Sequence, residues 1–233
     1  MYSLWQKLFA EFIGTFALIF VAAGSICADQ YLRASGQPGF GMLGVAIAQG
    51  LAISIMVTAV AHISGGHLNP AVTIGFWVTK RLSTLQTILY SIAQLLGAIA
   101  AAYLLATLLP ETVWRPVTLG TTDLAPDFTR IHGMVLEGVL TFFLVFAVFA
   151  TTVDARGAFN RIAGFAIGLT YTMDILIGGA FTGASMNPAR TLGPALAAHH
   201  WTNHGVYWVG PLFGGVLAAF LYDKIFLGDP TSA

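Results

Sequence analysis

Apolar residues run along this chain in long unbroken stretches rather than in the alternation of a half-buried strand or the one-sided stripe of a soluble helix. Six stretches, Leu8–Ala28, Met42–Ala61, Leu85–Leu109, Met134–Val153, Ile162–Ile177 and Val206–Phe226, each approach the ~20 residues that a membrane-spanning helix needs. A closed β-barrel would show ~10-residue alternating segments, and these runs do not. Two further apolar pieces, Leu68–Val78 and Pro188–Ala198, are too short to span and carry Pro at or near the start. They read as re-entrant half-helices. Non-helical backbone at membrane depth survives only where it lines a cavity or is buried in protein. Ser64-Gly65-Gly66-His67-Leu68 and Thr182-Gly183-Ala184-Ser185-Met186 are therefore expected to be pore walls, with Gly65, Gly66, His67, Gly183 and Ser185 lining the path.

Composition agrees with a lipid solvent: 57% of residues are hydrophobic and 9% charged, and mean hydropathy is +0.79. The expected partner is the lipid bilayer, and nothing points to nucleic acid. Lys7 ahead of an apolar run imitates a signal peptide, but Glu11 interrupts that run at its start. With both termini cytoplasmic, Lys7, Lys80, Arg81, Arg156, Arg161 and Lys224 lie inside and Arg33, Arg115 and Arg130 outside. That distribution favours this topology. A lone Cys27 gives no internal disulfide and no Cys-rich metal site.

The chain is internally duplicated. Glu11-x-x-x-Thr15-Phe16 recurs as Glu137-x-x-x-Thr141-Phe142, Asn69-Pro70-Ala71 as Asn187-Pro188-Ala189, and Leu95-Leu96-Gly97 as Leu212-Phe213-Gly214, at offsets of 126, 118 and 117 residues. Three spans per copy is odd, so the second copy must enter the membrane from the opposite side, an inverted repeat with its site at the midplane. The expected division of this single channel domain is 1–109, a connecting loop 110–131 rich in Pro and Gly, and 132–233. In each Asn-Pro-Ala, Asn suits a helix N-cap and Pro the first helical position. The Asn amide nitrogen is then left to point at a permeant, beside a half-helix N-terminus worth roughly +0.5 of a charge.

Ala10-Glu11-Phe12-Ile13-Gly14-Thr15, Ile63 to Thr73, and Gly183-Ala184-Ser185-Met186-Asn187-Pro188-Ala189-Arg190 resemble, in order and spacing, the aquaporin or major intrinsic protein family over essentially the whole chain. The resemblance implies an all-α membrane protein of six transmembrane helices plus two re-entrant half-helices, a pore in each protomer of a homotetramer, and single-file passage of water and small neutral solutes. It implies no cofactor. Carried over by position, the family's selectivity filter falls on Gln49, Ile175, Ala184 and Arg190. Strict water channels have Phe and His at the first two positions. The set is more similar to the plant tonoplast intrinsic proteins, with His, Ile, Ala or Gly, and often Arg, several of which pass ammonia. Gln49 departs from that His. The Asp that follows the Arg in glycerol facilitators is Thr191 here, which argues against glycerol as main substrate, while urea and hydrogen peroxide stay open.

Other polar residues carry narrower expectations. Glu11 and Glu137, being related by the repeat, are expected to support the re-entrant loops rather than relay protons. His67 is a candidate gate residue. His199, His200 and His204 lack a carboxylate or Cys at ligand spacing, so no metal site is expected. Asp174 has three readings: a pair with Arg190, a pair with a loop cation, or contact with water at the outer mouth. A secondary transporter shares inverted repeats and broken helices, but would need an ion-coupling site among Glu11, Glu137 and Asp174. No nucleophile, base and oxyanion donor fall at catalytic spacing, so an enzyme is not expected. The plasma (inner) membrane is the expected location.

Overall fold

The computed structural model describes residues 2–157 and 162–228; Arg161, one of the charges used to orient the chain, lies outside them. Among the described residues six helices are long and apolar enough to cross a bilayer. They are α1 (Leu4–Ala34), α2 (Gly41–Ser64), α4 (Thr84–Leu108), α6 (Arg130–Val148, wound on more loosely to Val153), α7 (Ala163–Thr182) and α9 (Val206–Leu221, wound on to Leu227). Two half-helices, α3 (Pro70–Val78) and α8 (Pro188–Ala198), and a short α5 (Glu111–Trp114) complete the set. With an even number of spans the two chain ends share one side of the molecule. The opposite side is called the far end below.

Local chemistry sets the boundaries. Ser3 and Ser83 each cap their helix through a reciprocal bond pair with Gln6 and Gln86, and Thr129 accepts from the His132 amide. The cap at Ser3 explains why α1 starts earlier than its apolar run. The cap at Thr129 starts α6 at Arg130, inside the segment expected to be loop. Half-helix α3 begins at Pro70, because Asn69 is extended (φ −157°, ψ 122°) and caps Ala71. At the ends of α2 and α7, Gly65 (φ 100°) and Gly183 (φ 78°) take the left-handed conformation that lets the chain leave the helix.

Helices approach closely where glycine removes the side chain. A Cβ on Gly97 of α4 would lie 2.4 Å from the Phe12 carbonyl oxygen of α1, and one on Gly214 of α9 would lie 1.9 Å from the Gly138 carbonyl oxygen of α6. These two crossings occupy equivalent places in the two halves. Gly164 and Gly168 of α7 pack against the Ser54 and Gly50 carbonyls of α2 in the same manner. The surface is apolar where lipid would touch it, with Leu51, Ile55 and Phe213 more than half exposed, while Glu11, Gln94, Glu137 and Arg190 are fully buried. That inversion of the soluble pattern fits a bilayer solvent.

Candidate pore site

The N-termini of α3 and α8 meet at the centre. Asn69 Oδ1 accepts from the Ala71 amide at 2.8 Å, and Asn187 Oδ1 from the Ala189 amide at 2.9 Å. The amide nitrogens are not wholly free, as the sequence had suggested. Asn69 Nδ2 donates to the Met186 carbonyl (2.8 Å) and Asn187 Nδ2 to the Leu68 carbonyl (2.9 Å), so each loop is pinned to the other. An amide nitrogen carries two hydrogens. One on each Asn remains after the cross-bond.

The loops ahead of these caps are held in a conformation that non-glycine residues seldom adopt. Gly65, Gly66 and Leu68 have positive φ, and so do Gly183, Ala184 and Met186 in the second copy. Such backbone persists where its surroundings over-determine it. The carboxylates do that. Glu11 Oε1 accepts from Ser64 Oγ (2.6 Å) and the His67 amide (3.0 Å), and its Oε2 from the Leu68 amide (2.7 Å). Glu137 repeats the pattern with Thr182 Oγ1 (2.7 Å), the Ser185 amide (2.9 Å) and the Met186 amide (2.7 Å). Tyr90 and Tyr207 close each loop from above by donating to the Ser64 and Thr182 carbonyls at 2.9 and 2.8 Å. Nothing in the sequence assigned either tyrosine this bracing role, although their 117-residue separation matches the repeat.

The halves differ at the side chains beside the caps. In the first, Gln94 Nε2 bridges Glu11 Oε2 (2.8 Å) and Thr73 Oγ1 (2.9 Å), and His67 Nδ1 lies 3.1 Å from the same Thr73 oxygen. Thr73 spends its one hydroxyl hydrogen on the Asn69 carbonyl. The His67 bond therefore requires a hydrogen on Nδ1, leaving Nε2 as the acceptor of the neutral ring. In the second half Ser185 stands in place of His67, and Ser185 Oγ donates to the Asn187 carbonyl. The contacts Ser185 to Thr191 (2.7 Å) and Thr191 to Thr122 (2.6 Å) are then all satisfied only if Thr122 donates to Thr191 and Thr191 to Ser185.

Arg190, in the first turn of α8, is fully buried and donates through Nη1 to the Gly120 carbonyl at 2.8 Å. Its Nε and Nη2 have no partner among the described residues. Gly120 has φ 68°, and a Cβ there would lie 2.9 Å from Ala23 Cα, so the connecting loop is fitted against α1 to present this carbonyl. Gln49, Ile175 and Ala184 are also buried. Gln49 Oε1 has no hydrogen-bond partner among the described residues, Arg190 included. Asp174 is 1% exposed and neither carboxylate oxygen meets a protein donor, so the two pairing readings of this residue fail among the described residues.

At the far end Asp123 accepts from Asn203 Nδ2 (2.8 Å) and lies 2.6 Å from His200 Nε2. Burial lowers the pKa of His204, whose Nε2 accepts from Trp208 Nε1 at 3.0 Å. Among the described residues no three His, Cys, Asp or Glu side chains converge as a metal site would require.

Residues 1–222 match the major intrinsic protein family. The chain belongs to that family. Among its relatives it is 44% identical to aquaporin TIP4-4 of Zea mays over 96% of this chain and 88% of that protein. It is 43% identical to the probable aquaporin TIP3-2 of Arabidopsis thaliana over 94% and 82%. The X-ray structure of the aquaglyceroporin from Plasmodium falciparum superposes with a TM-score of 0.84 at 24% identity, covering 96% of this chain and 97% of that one. That likeness carries the fold alone. The protein is thus an integral multi-pass membrane channel, and its family consists of passive conduits, not enzymes.

Proposed function

We propose that this major intrinsic protein is a passive pore for water and ammonia that turns back protons and ions, assembled as a homotetramer with both termini cytoplasmic. The carrying observation is the reciprocal bonding of Asn69 and Asn187 at the junction of α3 and α8. With one hydrogen of each amide locked across the junction, the other donates to the oxygen of a passing water. That water turns its hydrogens outward along the pore and presents none to its neighbour in the file, so no proton wire forms. The two half-helix N-termini, each worth roughly +0.5 of a charge, oppose cations at the same point.

The loop carbonyls supply the rest of the path. Those of Ser64, Leu68, Thr182, Ser185 and Met186 accept from protein donors. Gly65, Gly66, His67, Gly183 and Ala184 are the carbonyls left to receive hydrogen bonds from a permeant, with the Nε2 of His67 beside them. Glu11 accepts four hydrogen bonds and Glu137 three, all of them from groups that hold the loops or brace them, which argues for scaffolding over the proton relay of a transporter. At the filter, Arg190 Nε and Nη2 supply donors and Gln49 Oε1 an acceptor, while Ile175 and Ala184 set an apolar wall without Phe or His. This pairing of donor and acceptor suits ammonia as well as water. Thr191, committed to the hydroxyl chain with Ser185 and Thr122, stands where glycerol facilitators carry Asp.

The division into repeats 1–109 and 132–233 is supported by the matching bonds that Glu11 and Glu137, and Tyr90 and Tyr207, each make to the loop of its own half. The connecting segment 110–131 belongs functionally to the filter through Gly120. The plasma-membrane expectation stands apart from the TIP-type resemblance, which points to a tonoplast-type internal membrane; the topology itself needs only a bilayer with a basic-rich side. Proteoliposome assays of Gln49→Phe test the filter assignment. Ammonia flux is expected to fall several-fold more than water flux. Equal loss of both, or no ammonia flux in the parent, contradicts the reading.

A further inference from the structure

On the outer surface of the bundle, α6 and α9 enclose a groove of about 380 Å³ with Val135, Gly138, Val139, Phe142, Phe213 and Leu217 among its walls. Its floor is bare backbone, since at Gly210 and Gly214 α9 lies too close to α6 for side chains, and Gly138 faces them. At the far end the groove adjoins a second, more polar cavity of about 290 Å³ bounded by Arg130, Trp201, Asn203 and His204, with Met134 lining both. Arg130 Nε donates to Asn203 Oδ1 at 2.9 Å, and Asn203 is itself fixed by Asp123. The guanidinium is therefore oriented from one edge, while its Nη hydrogens have no protein partner among the described residues.

We propose that this combined cleft binds one glycerophospholipid of the far-end leaflet, its phosphate against the Arg130 guanidinium and one acyl chain in the α6–α9 groove. The dimensions and the polarity choose this occupant over a second copy of the chain. From Val209 to Leu217 the groove descends about 12 Å at 1.5 Å per residue, close to the roughly 15 Å depth of one leaflet's hydrocarbon. It is apolar over that depth and meets a cation where a phosphodiester sits. A helix of another copy would run through both leaflets and gain nothing from Arg130. Trp201 lies beside the cleft at the level where indole rings settle between headgroup and acyl chain. The nearby acid, Asp123, is already engaged by His200 and Asn203 and leaves the phosphate-facing side of Arg130 cationic.

The proposal stands on the membrane fold and is independent of what the pore conducts. Its test is native mass spectrometry of the full-length protein in a delipidating detergent, titrated with long-chain phosphatidylglycerol. Thermal midpoints are read on the same samples, because a ligand specific to the folded state raises them. The parent is expected to retain one phospholipid per protomer and to gain thermal stability with lipid. Arg130→Gln removes the phosphate partner, and Val139→Trp fills the groove from its 44%-exposed face without touching the glycine floor. Each is expected to weaken retention about tenfold or more, with unchanged elution and helicity, and Arg130→Lys to restore part of it. Inorganic phosphate at equal concentration is expected to give no protection. Unchanged retention in both variants, protection by inorganic phosphate equal to that of the lipid, or an altered oligomeric state in Val139→Trp with lipid still bound would each overturn the assignment.

Discussion

Removing the Glu137 carboxylate strips acceptors from Thr182 Oγ1 and from the amides of Ser185 and Met186, all at membrane depth. An unsatisfied buried donor costs about 1–3 kcal/mol. Glu137→Ala is therefore expected to lose at least about 2 kcal/mol of stability on that scale, read as a lower thermal midpoint in detergent. Glu137→Gln, which keeps one acceptor oxygen, should fall between it and the parent. Ala184 presents the opposite case. It holds φ 47° where the first repeat has Gly66, and a Cβ in the left-handed region costs roughly 1–2 kcal/mol. Ala184→Gly should raise the thermal midpoint, or leave it level once the added freedom of the unfolded chain is counted. At this scale the sequence disclosed the caps, because Asn-Pro is a local rule. It did not disclose the amide cross-bonds, since no local rule connects Asn69 to Met186 across 117 residues. The Gly120 carbonyl on Arg190 was hidden for a related reason: a backbone oxygen in a loop has no side-chain signature.

Helices were legible wherever an apolar run was long, because lipid makes length and hydrophobicity sufficient conditions for a span. Their ends were less so. Cap chemistry extends α1 and α6 outside their apolar cores, and α7 runs on to Thr182 because only Gly183 releases the chain. The glycines that permit close crossing were readable as a class, but their partners were not. Gly214→Val is expected to be far more damaging than Gly205→Val. A Cβ at the first would sit 1.9 Å from a carbonyl oxygen of the facing helix, and at the second meets nothing within 4 Å. Overpacking of a helix crossing costs about 1–3 kcal/mol or more, so the first variant should show reduced monodisperse yield and a lower thermal midpoint. Near the chain ends Asp154 ties the exit of α6 to Arg156, with bonds of 2.8 Å, and to Tyr222 of the final helix. Hydrogen bonds from the Arg156 side chain and backbone hold its carboxyl well below the usual carboxylate range. A depressed folded-state pKa gives stability that is present above the unfolded value and lost as pH falls through the folded one. The tie should accordingly persist through mild acidification, and Asp154→Asn should flatten the acid limb of the stability profile relative to the parent.

As a whole molecule the protein is two copies of one design meeting head to head, and duplication made that legible before any coordinate. The offsets of 126, 118 and 117 residues place equivalent glutamates, caps and glycines at equivalent depths. What the duplication hides is the asymmetry between the halves. Gln94 and His67 in one half have Pro211 and Ser185 as counterparts in the other, and the proposed filter draws on Gln49, the connecting loop and Arg190 without a second copy of any. Asp174 belongs to the same unshared set, and its buried carboxylate has no protein donor among the described residues. The central claim is that Asn69 and Asn187 orient a single file of neutral molecules and break the proton wire. Stopped-flow light scattering on proteoliposomes carrying an internal pH dye measures both consequences in one vesicle population. Water permeability rising in proportion to protein, with low activation energy, no need of a second solute gradient and no proton leak above empty vesicles, is the predicted result. Permeability no higher than that of empty vesicles, or water flux accompanied by dissipation of an imposed pH gradient, would contradict it.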